Sequence, residues 1–218
     1  MASGEMSDAE YIGFLRDVLN LMVRYSSNGS LHYLCIDWRH VADLISVGNS
    51  IYDELINLCV WEKNNAGMGS FYRSKHEIIL VFRNGSGPHR NNIQLGRFGR
   101  NRTNVWHYPS ANSFSKQGDE GNLLALHPTV KPVALVADAF LDCTARGEFV
   151  LDSFLGSGTT LMAAERVGRV CCGIEIDPLY VYVAIRRWQT YTGEAAIHAV
   201  SGERFDEIQA RKEVQYVR

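Results

Sequence analysis

The stretch Phe149-Val150-Leu151-Asp152-Ser153-Phe154-Leu155-Gly156-Ser157-Gly158-Thr159-Thr160 limits the folds open to this chain more than any other. Three apolar residues deliver a carboxylate at what reads as the end of a buried strand. Two glycines one residue apart then let the backbone turn tightly and approach a ligand closely. A helix opening at Thr159 would present unsatisfied amides to a polar or anionic group. Glu175 follows Asp152 by 23 residues, at the end of the next apolar run. That is near the spacing of ~20 residues at which an acid reaches a pair of ribose hydroxyls. The pattern places adenosine binding at the carboxyl edge of a parallel sheet.

The adenosine compound can be narrowed. The third glycine of the dinucleotide pattern G-x-G-x-x-G is absent, with Leu161 in its place, which disfavours NAD and FAD. No Gly-Lys-Ser/Thr follows the glycines, which disfavours a phosphate-gripping loop. An acid beside the turn suits a cationic or amine-bearing ligand, and S-adenosylmethionine carries both a sulfonium and an α-amine. The plain alternative is a tight structural turn. A lone G-x-G would favour it, but the strand, Asp152, both glycines and Glu175 together argue against it.

Elsewhere strands alternate with helices. Ser7 and Glu10 have the spacing of a capping box, opening a helix that Asn28-Gly29 ends. Leu31–Ile36, Leu55–Glu62, Glu77–Phe82, Glu148–Leu151 and Val170–Ile176 read as strands, with Ala196–Val200 as a short last one. His40–Ile51, Pro132–Leu141, Thr159–Val167 and Leu179–Tyr191 read as helices. The expected fold is α/β: a doubly wound, mostly parallel Rossmann-like sheet flanked by helices, with a loop-rich insertion. The chain of 218 residues is taken as one domain.

Charge locates the insertion. From Ile78 to Gly118 there is no Asp or Glu, while Arg83, Arg90, Arg97, Arg100, Arg102 and Lys116 contribute +6. The net charge is −2, so the rest carries −8. The core of this stretch, Gly85 to Pro109, is rich in Gly, Asn and Arg, with Phe98, Trp106 and Tyr108 interleaved, and shows neither helical nor strand period. Arg and Asn contact phosphates and base edges, but composition alone weighs a nucleic-acid loop evenly against a solvated basic one. No run approaches the ~18 apolar residues of a membrane span, and no secretory signal is visible. Five cysteines without a C-x-x-C pair argue against a disulfide framework or a zinc site. Reduced thiols and a cytoplasmic setting are expected.

The glycine turn through Glu165, continuing as Gly173-Ile-Glu-Ile-Asp-Pro-Leu-Tyr-Val181, resembles the cofactor motif of amino-group DNA methyltransferases, which methylate adenine N6 or cytosine N4. His127-Pro-Thr-Val-Lys-Pro-Val133 resembles their second cofactor motif, and Glu77–Gly85 the strand and turn before their recognition region. Ser153 stands where the family usually has proline. With its cofactor motifs C-terminal, the chain is similar to the permuted subgroup. The resemblance implies a methyltransferase sheet and S-adenosylmethionine as cofactor. Asp152, Phe154, Gly156, Gly158 and Thr159 would shape the cofactor pocket, Glu175 would hold the ribose, and Thr129 and Lys131 would line the methionine side. Residues 83–118 would take the recognition position and 122–218 the cofactor half. Arg90, Arg97, Arg100 and Arg102 would contact double-stranded DNA, and a second copy of the chain stays open as a partner.

The family also holds the target amine with an acid or Asn, two consecutive prolines and an aromatic. Here Pro88, Pro109, Pro128, Pro132 and Pro178 are all isolated, so no catalytic residue is assigned. In the permuted subgroup that motif lies shortly before the helix opened by Ser7, so Met1 resembles an internal methionine of a longer ancestor. The strand carrying it is central in the family sheet, so its loss should leave two unpaired strand edges. Asp37-Trp38, an acid and an aromatic at a strand end, is read as structural or cofactor-side rather than catalytic. Three functions are therefore weighed: a site-specific DNA amino-methyltransferase, a non-catalytic remnant that binds cofactor or DNA, and an unrelated nucleotide-binding oxidoreductase.

Overall fold

The computed structural model describes residues 6–67, 69, 71–110 and 130–216. Helix α1 (Asp8–Arg24) opens on the anticipated capping box: Glu10 N donates to Ser7 Oγ, and Ser7 N donates to Glu10 Oε2 at 2.8 Å. Then follow β1 (Leu31–Ile36), α2 (Val41–Asn49), β2 (Glu54–Glu62), β3 (His76–Arg83) and β4 (Val105–His107). The second half is α3 (Val133–Cys143), β5 (Phe149–Asp152), α4 (Thr159–Val167), β6 (Val170–Gly173), α5 (Pro178–Thr192) and α6 (Phe205–Tyr216). Among the described residues no helix is long and apolar enough to cross a membrane.

The first four strands form one sheet in the order β1-β3-β2-β4. Strand β3 runs antiparallel to both neighbours, with Leu80 opposite Leu34 on one side and Leu58 on the other. Strand β4 lies parallel to β2, with Trp106 opposite Trp61. So β1, β2 and β4 share a direction and β3 alone opposes them. The reversal follows from the short β2–β3 connection, since parallel neighbours need a long crossover. A second, two-stranded sheet pairs β5 parallel to β6, with Leu151 opposite Cys172.

Strand β3 explains the unbroken apolar run Ile78–Phe82. Leu80 and Phe82 pack on Leu19 of α1, on Leu44 and Val47 of α2, and on Tyr52. Ile79 and Val81 face the other way, into Cys59, Trp61, Trp106 and, from α3, Leu135 and Ala139. A strand buried on both faces cannot alternate apolar with polar residues. Helices on both faces of the sheet are the doubly wound arrangement expected. Packing is close where α2 crosses Phe82, and a Cβ on Gly48 would run into that ring.

Four features differ from the sequence reading. Strand β4 sits inside the stretch expected to be loop, where Trp106 is buried and Trp61 Nε1 donates to Tyr108 O at 2.8 Å. Three residues are too few to show a period. The strand expected to reach Ile176 ends at Gly173. There the chain turns onto the glycine loop, Ile174 N donating to Asp152 O and Leu155 N to Ile174 O. Ala196–Val200 forms only the single bridge Ile197–Arg204. Helix α6, unforeseen, is tethered to α5 by Arg186, which bonds Asp206 and Gln209. Among the described residues β1 is bonded to β3 alone and β5 to β6 alone.

His32 of β1 is buried, with Nδ1 2.7 Å from Tyr52 Oη and Nε2 3.2 Å from Ser30 Oγ. Burial lowers its pKa to about 4. The unfolded value is ~6.5, so the fold favours the neutral ring and loses stability as pH falls from about 6.5 towards 4. The full shift corresponds to about 3 kcal/mol. His32→Gln should flatten this dependence in denaturant titrations at pH 7 and pH 5. An unchanged slope would remove His32 as its source.

Candidate functional site

The glycine turn is built by its own side chains. Asp152 ends β5 and accepts from Phe154 N at 2.9 Å and from Thr160 Oγ1 at 2.5 Å. It therefore clasps both ends of the loop. Gly156 has φ +53° and Gly158 φ +86°, left-handed conformations natural to glycine. Gly158 also lies against α5, where a Cβ would come within 2.9 Å of Ala184 Cβ. Arg187 Nη1 donates to Ser157 O at 2.6 Å from the same helix.

Glu175 meets the turn from the neighbouring strand end. Its Oε2 accepts from Gly156 N at 2.8 Å, and Oε1 accepts from Ile176 N and Asp177 N at 2.8 and 2.9 Å. Thr159 opens α4 and donates Oγ1–H to Lys131 O at 3.3 Å, which brings the second motif to the helix N-terminus. Seven of the eight expected cofactor residues thus gather around one turn; Thr129 lies outside the described residues. Beside the expected Phe154, two residues that the sequence reading places in a strand, Ile174 and Ile176, adjoin the acid in the chain. Phe154 and Ile174 are mostly exposed and Ile176 is 96% exposed.

Lys131 joins this turn to a neighbouring cavity. Its pKa is held above the ordinary lysine range, by Cys35 first and, against the cost of burial, by Glu77 and Asp152. Cys35 stands near the end of β1 and Asp152 at the end of β5, so both strand ends meet around one cation. The cavity, about 450 Å³, is walled by Asp37, Trp38, Trp61, Gly67, Glu77 and Lys131 among others. Asp37 Oδ1 accepts from Arg39 N at 2.7 Å. The Arg39 guanidinium stacks 4.9 Å from the half-exposed Trp38 ring. This acid–aromatic pair therefore opens onto the cavity.

The basic segment is less available than its charge implies. Arg83 pairs with Glu54 at 2.9 Å and Arg90 with Glu148 at 2.7 Å. Arg100 donates to Asp142 Oδ1 from Nη2 at 2.7 Å and from Nε at 2.9 Å. Arg102 Nε lies 2.7 Å from Asp142 Oδ2 in an ion pair, and its Nη1 donates to Tyr108 Oη at 3.1 Å. Tyr108 Oη in turn donates to Asp138 Oδ2 at 2.5 Å. Arg100 and Arg102 thus staple the insertion to α3, a use that local composition could not reveal because both acids lie more than 35 residues downstream. Among the described residues Arg97 is the one arginine of the segment without an acidic partner. It sits beside Phe98 at its surface.

The model of a DNA methylase family, for N6 and N4 methylation, matches residues 2–186. The type II methyltransferase M2.DpnII of Streptococcus pneumoniae is 28% identical over 189 residues, 82% of this chain and 65% of that protein. M.ScaI of Streptomyces caespitosus is 36% identical over 95 residues, 44% of this chain and 31% of its own length. The chain thus spans less than two thirds of these relatives. The M1.HpyAVI–SAM complex shares the fold with TM-score 0.63 at 19% identity, over 80% of this chain and 82% of that one. The cytosine-N4-specific PvuII DNA methyltransferase does so with TM-score 0.68 at 17% identity, over 86% and 74%.

Asp142 is 3% exposed at its side chain and serves two guanidinium groups. Removing one partner of a buried ion pair costs about 3 kcal/mol or more. Asp142→Asn should lower stability by about that amount and raise amide exchange across residues 97–108 before β3 is affected. Equal protection of that segment in both proteins would show that the clamp does not hold it.

Proposed function

This chain belongs to the N6/N4 DNA methylase family, and on that premise we propose that its glycine turn binds S-adenosylmethionine for methyl transfer to an exocyclic amine of double-stranded DNA. One observation carries the reading. Two left-handed glycines and Glu175 form a cradle for a ribose, with the exposed side chains of Phe154, two residues before Gly156, and Ile176, directly after Glu175, in the adjoining chain. Asp152, Glu175 and Asp177 surround the turn with carboxylates. That field suits a sulfonium and an ammonium group and opposes a pyrophosphate. The close contact of Gly158 with Ala184 gives the turn one rigid shape.

When bound, the cofactor supplies a methyl group activated by positive sulfur. The chain's own residues position it. Glu175 would accept a ribose hydroxyl. Phe154 and Ile176 would bury the adenine faces, and Lys131 would face the methionine carboxylate. The cavity beside Lys131 has a volume suited to one base and would receive the target nucleotide out of the stack. Such transfer rests on orientation more than on acid–base chemistry. Thr129 belongs with Lys131 in this reading, and Arg97 and Arg90 are its DNA-contact candidates. The setting is the cytoplasm, and the reading requires no second copy of the chain.

A specific feature favours binding without turnover. No two prolines are adjacent anywhere in the chain, so the family's paired acceptors for the amine hydrogens are lacking. The 218-residue chain should bind cofactor yet incorporate no methyl into DNA. Turnover that Asp152→Ala abolishes would overturn this.

Cofactor binding is checked by calorimetry. Ile176 touches little else, so Ile176→Ser should leave the melting temperature unchanged and weaken S-adenosylmethionine about tenfold, the loss of roughly 1.5 kcal/mol of apolar burial. Unchanged affinity would sink the placement of the adenine. Tighter binding of NAD than of S-adenosylmethionine would sink the cofactor reading itself.

A further inference from the structure

The loop between β2 and β3, residues 63–75, forms one wall of the cavity through Asn65, Ala66, Gly67 and Ser74. Its neck is braced. Lys63 N donates to Lys75 O and Gly67 N to Ser74 O, both at 2.8 Å. Lys63 pairs with Glu77 at 2.5 Å and Lys75 with Glu62 at 2.9 Å. Arg73 ties the loop across itself, Nε donating to Gly67 O at 3.0 Å and Nη2 to Ala66 O at 3.1 Å. Those partners are carbonyls, so its charge is not neutralised by an acid. The loop itself contains no Asp or Glu.

At its tip stand Phe71 and Tyr72, 85% and 82% exposed, with ring centroids 4.4 Å apart and nearly edge to face. Each is a large apolar surface that the fold leaves in water on a braced support. Neither ring belongs to either hydrophobic cluster of the sheet.

We propose that Phe71 and Tyr72 form a stacking wedge, entering duplex DNA beside an extruded base and filling the gap in the stack while that base occupies the cavity the same loop walls. The inference rests on the reading that double-stranded DNA is the substrate, and adds to it the residues that hold the duplex open. Three observations support it: the aromatic pair is exposed, the loop bearing it borders a base-sized cavity, and Arg73 beside the pair bonds carbonyls and keeps its charge, whereas Lys63 and Lys75 are paired with Glu77 and Glu62. Apolar side chains inserted between base steps compensate unstacking. Aromatic stacking is tolerant of sequence because every base has a π-face.

Tolerance of sequence makes the test independent of the target site. Fluorescence anisotropy compares two labelled duplexes of one sequence, intact and with a single abasic position, against the full chain and against the double variant Phe71→Ser, Tyr72→Ser. An abasic gap is what a wedge fills, so the wild-type chain should bind it at least about fivefold tighter than intact duplex, the lower end for one stacked base. The double variant should keep its melting temperature, since both side chains are exposed. It should bind intact duplex within about twofold of wild type and lose the preference. A wild-type chain that binds both duplexes equally, or a variant that keeps the preference, overturns the wedge while leaving DNA binding in place. A wild-type chain that binds neither duplex overturns the DNA reading, and the wedge with it.

Discussion

The buried carboxylate of Asp142 is the point on which the arrangement of parts depends. It accepts from Arg100 and pairs with Arg102, and the backbone carbonyl of the same residue accepts from Asn92 N at 2.9 Å. Burial raises its pKa, and the two guanidinium groups offset this only in part. A buried carboxylate in that setting depends on its two arginines, and each arginine is shared between Asp142 and Asp138. The insertion is thereby fastened to α3 at several atoms, and its position becomes a property of the helix.

Helix α3 can carry this because its sides have separate duties. Leu135 and Ala139 complete the core under β2 and β3. Asp138 and Asp142 hold the insertion. The residue just before its N-cap Pro132 is Lys131, whose carbonyl accepts from Thr159 at the start of α4. One element of eleven residues therefore couples the basic segment, the larger sheet and the glycine turn. The same economy appears at the turn, where Asp152 and Glu175 are structural before they can be anything else. Each carboxylate satisfies backbone amides of the loop that would surround the ligand, so the cradle is shaped in advance.

Much of this was legible in the chain. The capping box at Ser7, the apolar run of β3 and the strand–turn–helix around Gly156 are local patterns with local causes: orphan amides at a helix start, burial on two faces, and backbone angles that glycine tolerates. The limits are equally physical. Strand β4 is too short to show a period, yet Trp106 enters the core because β2 offers it an edge. The charge of the basic segment was counted correctly from composition and its availability was not, since Glu54, Asp138, Asp142 and Glu148 are remote in sequence and close in space.

Short-range chemistry within the chain thus settles which segments can be strand, turn or helix, because those preferences act over a few residues. Folding in three dimensions settles the rest: the placement of β4 against β2, the arginines neutralised by Glu54, Asp138, Asp142 and Glu148, and the meeting of Lys131, Glu77 and Asp37 around one cavity. These depend on contacts between residues dozens of positions apart. Burial and Coulomb interactions act through space, and no local pattern records them.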